Sequence, residues 1–312
     1  MRTRVLATVV ALAAGLTVAP AAAAAAATPT ARPAPSVLLG LGYDLSLWRP
    51  STGWWHLSYG TDRHWGQSGD VPVPGNYDHL YGTDLAVWRP SNGTWYVKLE
   101  PAGTVVKQKL GKPGDVPVPG DYDGDHVDDF AVWRPSTGTW YGINSSSGAH
   151  WSRQYGRAGD LPVPGDYDGD GRVDSAVWRP STGDWHVRSS HTGAGTVTHW
   201  GRSGDVPVPG PWDGDRRADL AVWRPSNGTW YIIKSASGAH RVQQWGHRHD
   251  IPAPSITNVD DHCAGHLDFV VFRPGNGTWF IKDSSTGLHS TKHYGQSGDV
   301  PVTANYTASA CL

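Results

Sequence analysis

The chain has 312 residues and carries 26 Lys and Arg against 28 Asp and Glu, a net charge of −2. No run of like charge is present, so neither a nucleic-acid backbone nor an anionic membrane surface is an expected partner. Glu100 is the sole glutamate, which excludes a glutamate pair for glycoside hydrolysis and leaves aspartate pairs open.

The N-terminus reads as an export signal. Residues 1–4 form a short basic start and residues 5–19 an apolar stretch too short to span a bilayer. Small residues over 21–27 offer cleavage sites, so residues 1–27 read as a signal peptide and 28–37 as a Pro/Ala linker. Residues 38–312 are expected to fold as one secreted, monomeric domain. No later segment is long and apolar enough to cross a membrane.

A repeat dominates the rest of the chain. Trp-Arg-Pro begins at Trp48, Trp88, Trp133, Trp178 and Trp223, and returns as Phe-Arg-Pro at Phe272. Gly-Asp-x-Pro-Val runs in step through Asp70, Asp115, Asp160, Asp205 and Asp299, with His249-Asp250-Ile251-Pro252 as the odd copy. A period of 40 to 49 residues means one small unit copied and stacked.

Within residues 115–159 the elements follow in order. Val116-Pro117-Val118 suits the start or edge of a strand, and residues 121–129 form an Asp-rich loop. Phe130-Ala131-Val132-Trp133 is apolar without alternation, so both its faces are expected to be covered. Ser-Thr-Gly or Ser-Asn-Gly then turns the chain, Trp140 opens a third strand, and residues 150–155 form a fourth. Four antiparallel strands per unit, apolar on both faces, predict an all-β fold, a β-propeller. Six blades fit the repeat count, with seven as the alternative. The first copy lacks its Pro-Val strand and the C-terminus supplies one at 300–302, so one blade is expected to be split between the termini.

The loop Asp166, Asp168, Asp170 and Asp174 places carboxylates at positions 1, 3, 5 and 9, with Gly171 at position 6 for a sharp turn. Several anionic oxygens in a flexible loop suit Ca²⁺ better than zinc or copper. The pattern recurs at Asp121, Asp123, Asp125 and Asp129, with His126 at position 6. It returns at Asp213, Asp215 and Asp219, where Pro211 takes the first position and weakens the site. The loop at Asn76, Asp78 and Asp84 has Leu80 at the fifth position, and the copy near Asn258 and Asp260 is longer and drifted. On these Asp-x-Asp-Gly-Asp loops, each followed by an aliphatic-Trp strand, residues 40–307 resemble the FG-GAP/VCBS repeats of integrin α-subunit propellers. That resemblance implies a β-propeller with structural Ca²⁺ in the matching loops, and a role in adhesion or carbohydrate binding.

Of 17 Trp, 14 fall in repeat columns and are expected to fill the wedges between blades. Trp54, Trp151 and Trp212 stand outside the columns and are the candidate ligand platforms. The repeated arginines from Arg49 to Arg273 are expected to stack on aromatic rings or pair with repeated aspartates, ordering one blade against the next. Cys263 and Cys311 suit one disulfide at the seam of the ring, worth about 4 kcal/mol on the chain-entropy model. A zinc site among His247, His249, Asp250, Asp260, Asp261, His262 and His266 lacks firm ligand spacing.

The expected function is a secreted, calcium-stabilised binding module whose partner is an extracellular glycan or a surface protein. Catalytic motifs are absent from the sequence. The alternative is a polysaccharide hydrolase or lyase that uses unrepeated Asp or His residues at one mouth of the propeller channel.

Overall fold

The computed structural model describes residues 45–57, 61–80, 82–257 and 266–302. The proposed signal peptide and linker, Cys263 and Cys311, and Asn258 to His262 of the drifted loop lie outside these residues.

Six four-stranded antiparallel sheets form the blades of a propeller, and the described residues contain no helix. Blade 3 is representative. Its strands are Val116–Pro117, Phe130–Arg134, Thr139–Ile143 and His150–Gln154, hydrogen-bonded in that order. The first strand is buried and the fourth is the exposed edge. The two-residue first strand follows from its proline, which supplies no N–H to a longer ladder.

The turn between the second and third strands explains its glycine. Gly138 donates its N–H to Arg134 O at 2.8 Å with φ +64. A Cβ there would lie 2.2 Å from the carbonyl oxygen of Gly156. Gly53, Gly93, Gly183, Gly228 and Gly277 repeat both features.

Across the turn, Trp133 faces Trp140 on the neighbouring strand, and Trp48–Trp55, Trp88–Trp95, Trp178–Trp185 and Trp223–Trp230 repeat the pair. These rings are at most 1% exposed. They pack against the next blade: Trp88 and Trp95 on Val132, Trp178 and Trp185 on Val222. Each ring removes roughly 200 Å² from water, worth about 5 kcal/mol by area. The third tryptophan column ties blades by hydrogen bonds: Trp65, Trp200 and Trp245 donate Nε1–H to the carbonyls of Tyr96, Tyr231 and Phe280 one blade on.

The first blade is split as expected. Val300–Val302 pairs with the strand Ser46–Arg49, bringing Val300 opposite Trp48 and Val302 opposite Ser46.

The repeated arginines order the blade they belong to, which corrects the expectation of inter-blade links. Arg134 forms a two-pronged ion pair with Asp115, Nε to Oδ1 at 2.8 Å and Nη2 to Oδ2 at 2.9 Å. It also lies 4.2 Å over the ring of Tyr141. All three residues sit in or beside strands of one sheet. The pair recurs in every blade, and Arg273 holds Asp250 in the sixth. Asp250 is thereby committed to structure, which removes it from the zinc constellation.

Candidate metal centre

The Asp loops join the first strand of a blade to its second, so equivalent loops emerge at one end of the ring. Neighbouring loops are also bonded together. The N–H at position 8 donates to the carbonyl at position 1 of the preceding loop: Asp128 to Asn76 at 2.6 Å, Val173 to Asp121 at 2.7 Å, Ala218 to Asp166 at 2.6 Å. The position-8 side chain packs on a glycine of the same preceding loop, as Val173 does on Gly120.

Among the described residues three carboxylate triads result, each with oxygens within 4.8 Å of one another: Asp121, Asp123 and Asp129; Asp166, Asp168 and Asp174; Asp213, Asp215 and Asp219. The first two use positions 1, 3 and 9, and the third uses 3, 5 and 9 because Pro211 removes the first carboxylate. Asp125 and Asp170 are therefore outside the triads, in contrast to the expected 1, 3, 5 cluster. Asp125 accepts the Ser145 hydroxyl at 3.0 Å, and Asp170 accepts that of Ser190 at 2.8 Å. In the third loop Arg217 Nη2 lies 3.0 Å from Asp215 and competes for it.

Backbone hydrogen bonds pre-shape each loop. Asp121 accepts N–H groups from Gly124, Asp125 and His126. Asp129 accepts N–H from Tyr122 at 2.9 Å and from Ser145 at 2.6 Å. The position-9 carboxylate makes the same two ties at Asp84 and Asp268, which belong to no triad among the described residues. It is thus a structural strut first, a role that its constancy in every described loop could have signalled.

Burial lifts the carboxyls of Asp129, Asp174 and Asp219 to about 6, against the pull of their backbone hydrogen bonds. Burial also raises Asp121 and Asp166, and neighbouring carboxylates add to the shift. Asp123 Oδ1 is buried without a hydrogen-bond partner. Crowded carboxylates with an unused buried oxygen fit a hard divalent cation, which would neutralise their repulsion.

Position 6 requires a left-handed backbone. Gly171 takes it with φ +84, while His126 and Arg216 are held at φ 69 and 70.

Sequence reasoning did not single out Asp128. Its side chain is buried between loops and accepts the Asn76 N–H at 3.0 Å, with Oδ1 unpartnered. Burial pushes its carboxyl up to about 8.

The three candidate platforms differ. Trp54 is 40% exposed, edge-on to His64 at 5.4 Å between ring centroids. Trp151 is half-buried and packs on Tyr122 at 5.1 Å. Trp212 is fully buried against Trp230 and Phe269, a correction to its assignment as a platform. Its Nε1–H donates to Val208 O, as the hydroxyls of Tyr77, Tyr122 and Tyr167 do to Val73, Val118 and Val163. Trp212 belongs to that tyrosine column, which sequence alignment of the loops could have revealed.

No family model and no curated protein matches this sequence. Solved structures do resemble the fold. A lectin from Agrocybe aegerita, described for its recognition of non-reducing terminal N-acetylglucosamine, aligns with TM-score 0.55 at 12% identity over 89% of this chain and 80% of the lectin. BBS1N in complex with ARL6DN aligns with TM-score 0.54 at 12% identity, over 90% of this chain and 89% of that one. A streptogramin B lyase aligns with TM-score 0.51 at 10% identity, over 84% and 75%. At such identities the likeness establishes the propeller and nothing finer.

Proposed function

We propose that this chain is a secreted propeller of the FG-GAP/VCBS type, stabilised by Ca²⁺ in its Asp loops, that binds an extracellular glycan or surface protein. The observation that carries the metal reading is the recurrence of a carboxylate triad, oxygens within 4.8 Å, in three successive blades. Asp121, Asp123, Asp129 and their counterparts would hold the ion, which supplies charge neutralisation and loop rigidity. The secreted reading rests on the basic start at residues 1–4 and the apolar stretch 5–19.

Two propeller neighbours support a binding role by what their names state: one recognises a terminal sugar and one is bound to ARL6. The glycan is the favoured partner, because the Asp-loop face presents hydroxyls and carboxylates around a pocket that the half-buried Tyr167 lines. The test is a glycan array and a cell-surface pull-down with the mature chain, each with and without millimolar Ca²⁺. Calorimetric Ca²⁺ titration runs in parallel. Retention on a defined glycan together with saturable Ca²⁺ uptake is the expected result. Blank arrays and pull-downs at millimolar Ca²⁺ would sink the binding reading. Turnover of a polysaccharide, lost with one unrepeated Asp→Asn change, would replace it with the hydrolase or lyase reading.

A further inference from the structure

The loop column of Tyr77, Tyr122, Tyr167 and Trp212 has an aromatic ring packed on three of its four members. Tyr77 stacks on Phe130 at 5.3 Å, Tyr122 meets Trp151 at 5.1 Å, and Trp212 stacks on Phe269 at 5.2 Å. Among the described residues, Tyr167 has no ring against it. The smaller Leu220 stands where Phe130 and Phe269 stand in their blades. A pocket of about 510 Å³ opens at Tyr167 instead.

Blade 3 shows what this space accepts. There the cross-strand pair is Gly142 and Trp151, and a Cβ on residue 142 would lie 2.2 Å from the indole. The glycine makes room for the indole that covers Tyr122. In blade 4 the same pair is Val187 and Thr196, which leaves the place over Tyr167 empty of protein. The pocket rim carries Asp168, His191 and Thr192. Thr192 Oγ1 is bonded to Ser189 Oγ at 2.9 Å, and Ser189 Oγ in turn to Asp168.

We propose that this blade-4 pocket is a saccharide subsite: a neutral pyranose ring lays its apolar face on Tyr167, Val187 and Thr196 and gives its hydroxyls to His191 and Thr192, beside the Asp168 carboxylate of the Asp loop. A flat ring with an apolar face suits the floor, as the indole of blade 3 demonstrates. A rim of carboxylate, imidazole and hydroxyl suits a ligand that carries many hydroxyl donors and no negative charge. An aromatic peptide side chain would leave those rim groups unmatched. The assignment rests on the glycan reading above and gives that reading an address.

The test rebuilds blade 3 in blade 4. The full mature chain is titrated with glucose, galactose, mannose, N-acetylglucosamine and phenylalaninamide, in wild type and in the double variant Val187→Gly, Thr196→Trp. The expected result is saccharide binding by the wild type and a loss of at least tenfold in the double variant, whose Ca²⁺ uptake is unchanged. Thr192→Ala, which leaves the floor intact, is expected to weaken the same sugar several-fold and serves if the double variant does not fold. Equal sugar affinity in wild type and all folded variants overturns the subsite and leaves the glycan reading standing. Blank titrations together with a blank glycan array overturn both. Phenylalaninamide binding that the double variant abolishes, with no sugar bound, assigns the pocket to a peptide ring and overturns the saccharide.

Discussion

Arg49 and Asp299, 250 residues apart in the chain, form the same two-pronged ion pair that every other blade makes between near neighbours, with Nε to Oδ1 at 2.7 Å and Nη2 to Oδ2 at 2.9 Å. The Asp299 side chain is fully buried, and the Arg49 side chain is 22% exposed. Elsewhere the partners are 19 or 23 residues apart and the pair firms up a local hairpin. At the seam it fastens the C-terminal strand to the N-terminal one.

Asp299→Asn is therefore expected to cost more than Asp160→Asn. Each change breaks a buried pair and costs about 2–3 kcal/mol, less than a fully buried bridge because the arginine keeps some solvent. Only the seam change also releases the strand Val300–Val302. Hydrogen exchange is the discriminating measurement. Fast exchange confined to the strands Ser46–Arg49 and Val300–Val302 is expected for Asp299→Asn, and equal behaviour of the two variants would remove the special role of the seam.

Asp128 makes stability depend on pH. Its carboxyl sits near 8 in the folded chain because of burial, against about 3.9 in an unfolded one. The folded state thus binds this proton more tightly, so its contribution favours folding at low pH and fades as pH rises from about 4 toward 8. Asp128→Asn keeps an acceptor for the Asn76 N–H and removes the titration. The variant is expected to be more stable than wild type by roughly 1–3 kcal/mol at pH 7 and by little at pH 4. Denaturant melts at both values check this; a pH-independent difference contradicts it.

On the proposed Ca²⁺ reading, position 3 and position 9 of the Asp loops are expected to separate. Asp168 is exposed and contributes to the triad, whereas Asp174 is buried and ties two backbone N–H groups. Asp168→Asn should leave stability in chelator nearly unchanged and remove one site's Ca²⁺ stabilisation, about 1.4 kcal/mol when free Ca²⁺ is ten times the Kd. Asp174→Asn should lower stability in chelator as well, by about 1–2 kcal/mol. Asp213→Asn should matter least, because the loop lacks a first carboxylate and Arg217 already occupies Asp215. Melting curves in Ca²⁺ and in chelator decide the order.

The repeat made the architecture legible. Each blade carries the same short strands, and periodic Trp, Gly and Asp columns are what a stacked unit needs. The split blade was legible for the same reason, since the phase of Asp299 and Val300 completes the copy that begins before Trp48. The reach of the arginines was not legible, because a column repeated in every blade can link within or between units with the same sequence pattern. Trp212 was misjudged because residue type was weighed ahead of its column. The open place at Tyr167 depends on a comparison of small differences, Gly142 against Val187 and Trp151 against Thr196, that acquire meaning only once the cross-strand register is known.

His249 tests whether the left-handed positions of the repeat are strained. It holds φ 74, where Gly69, Gly114, Gly159, Gly204 and Gly298 hold φ between 86 and 91. A Cβ at any of these glycines meets nothing within 4 Å, so crowding is not at issue and the backbone conformation alone carries the cost. That cost is roughly 1–2 kcal/mol for an L-residue with a side chain, offset in part because glycine gives the unfolded chain more freedom. His249→Gly is thus expected to stabilise the propeller by about 0.5–1 kcal/mol, and Gly159→His to destabilise it by a similar amount. His126→Gly, at φ 69 in an Asp loop, should gain alike, and it should do so in chelator as well as in Ca²⁺ because the gain lies in the backbone. Denaturant midpoints with unchanged slopes measure all three. A loss of stability in His249→Gly would show that the imidazole makes contacts outweighing the strain.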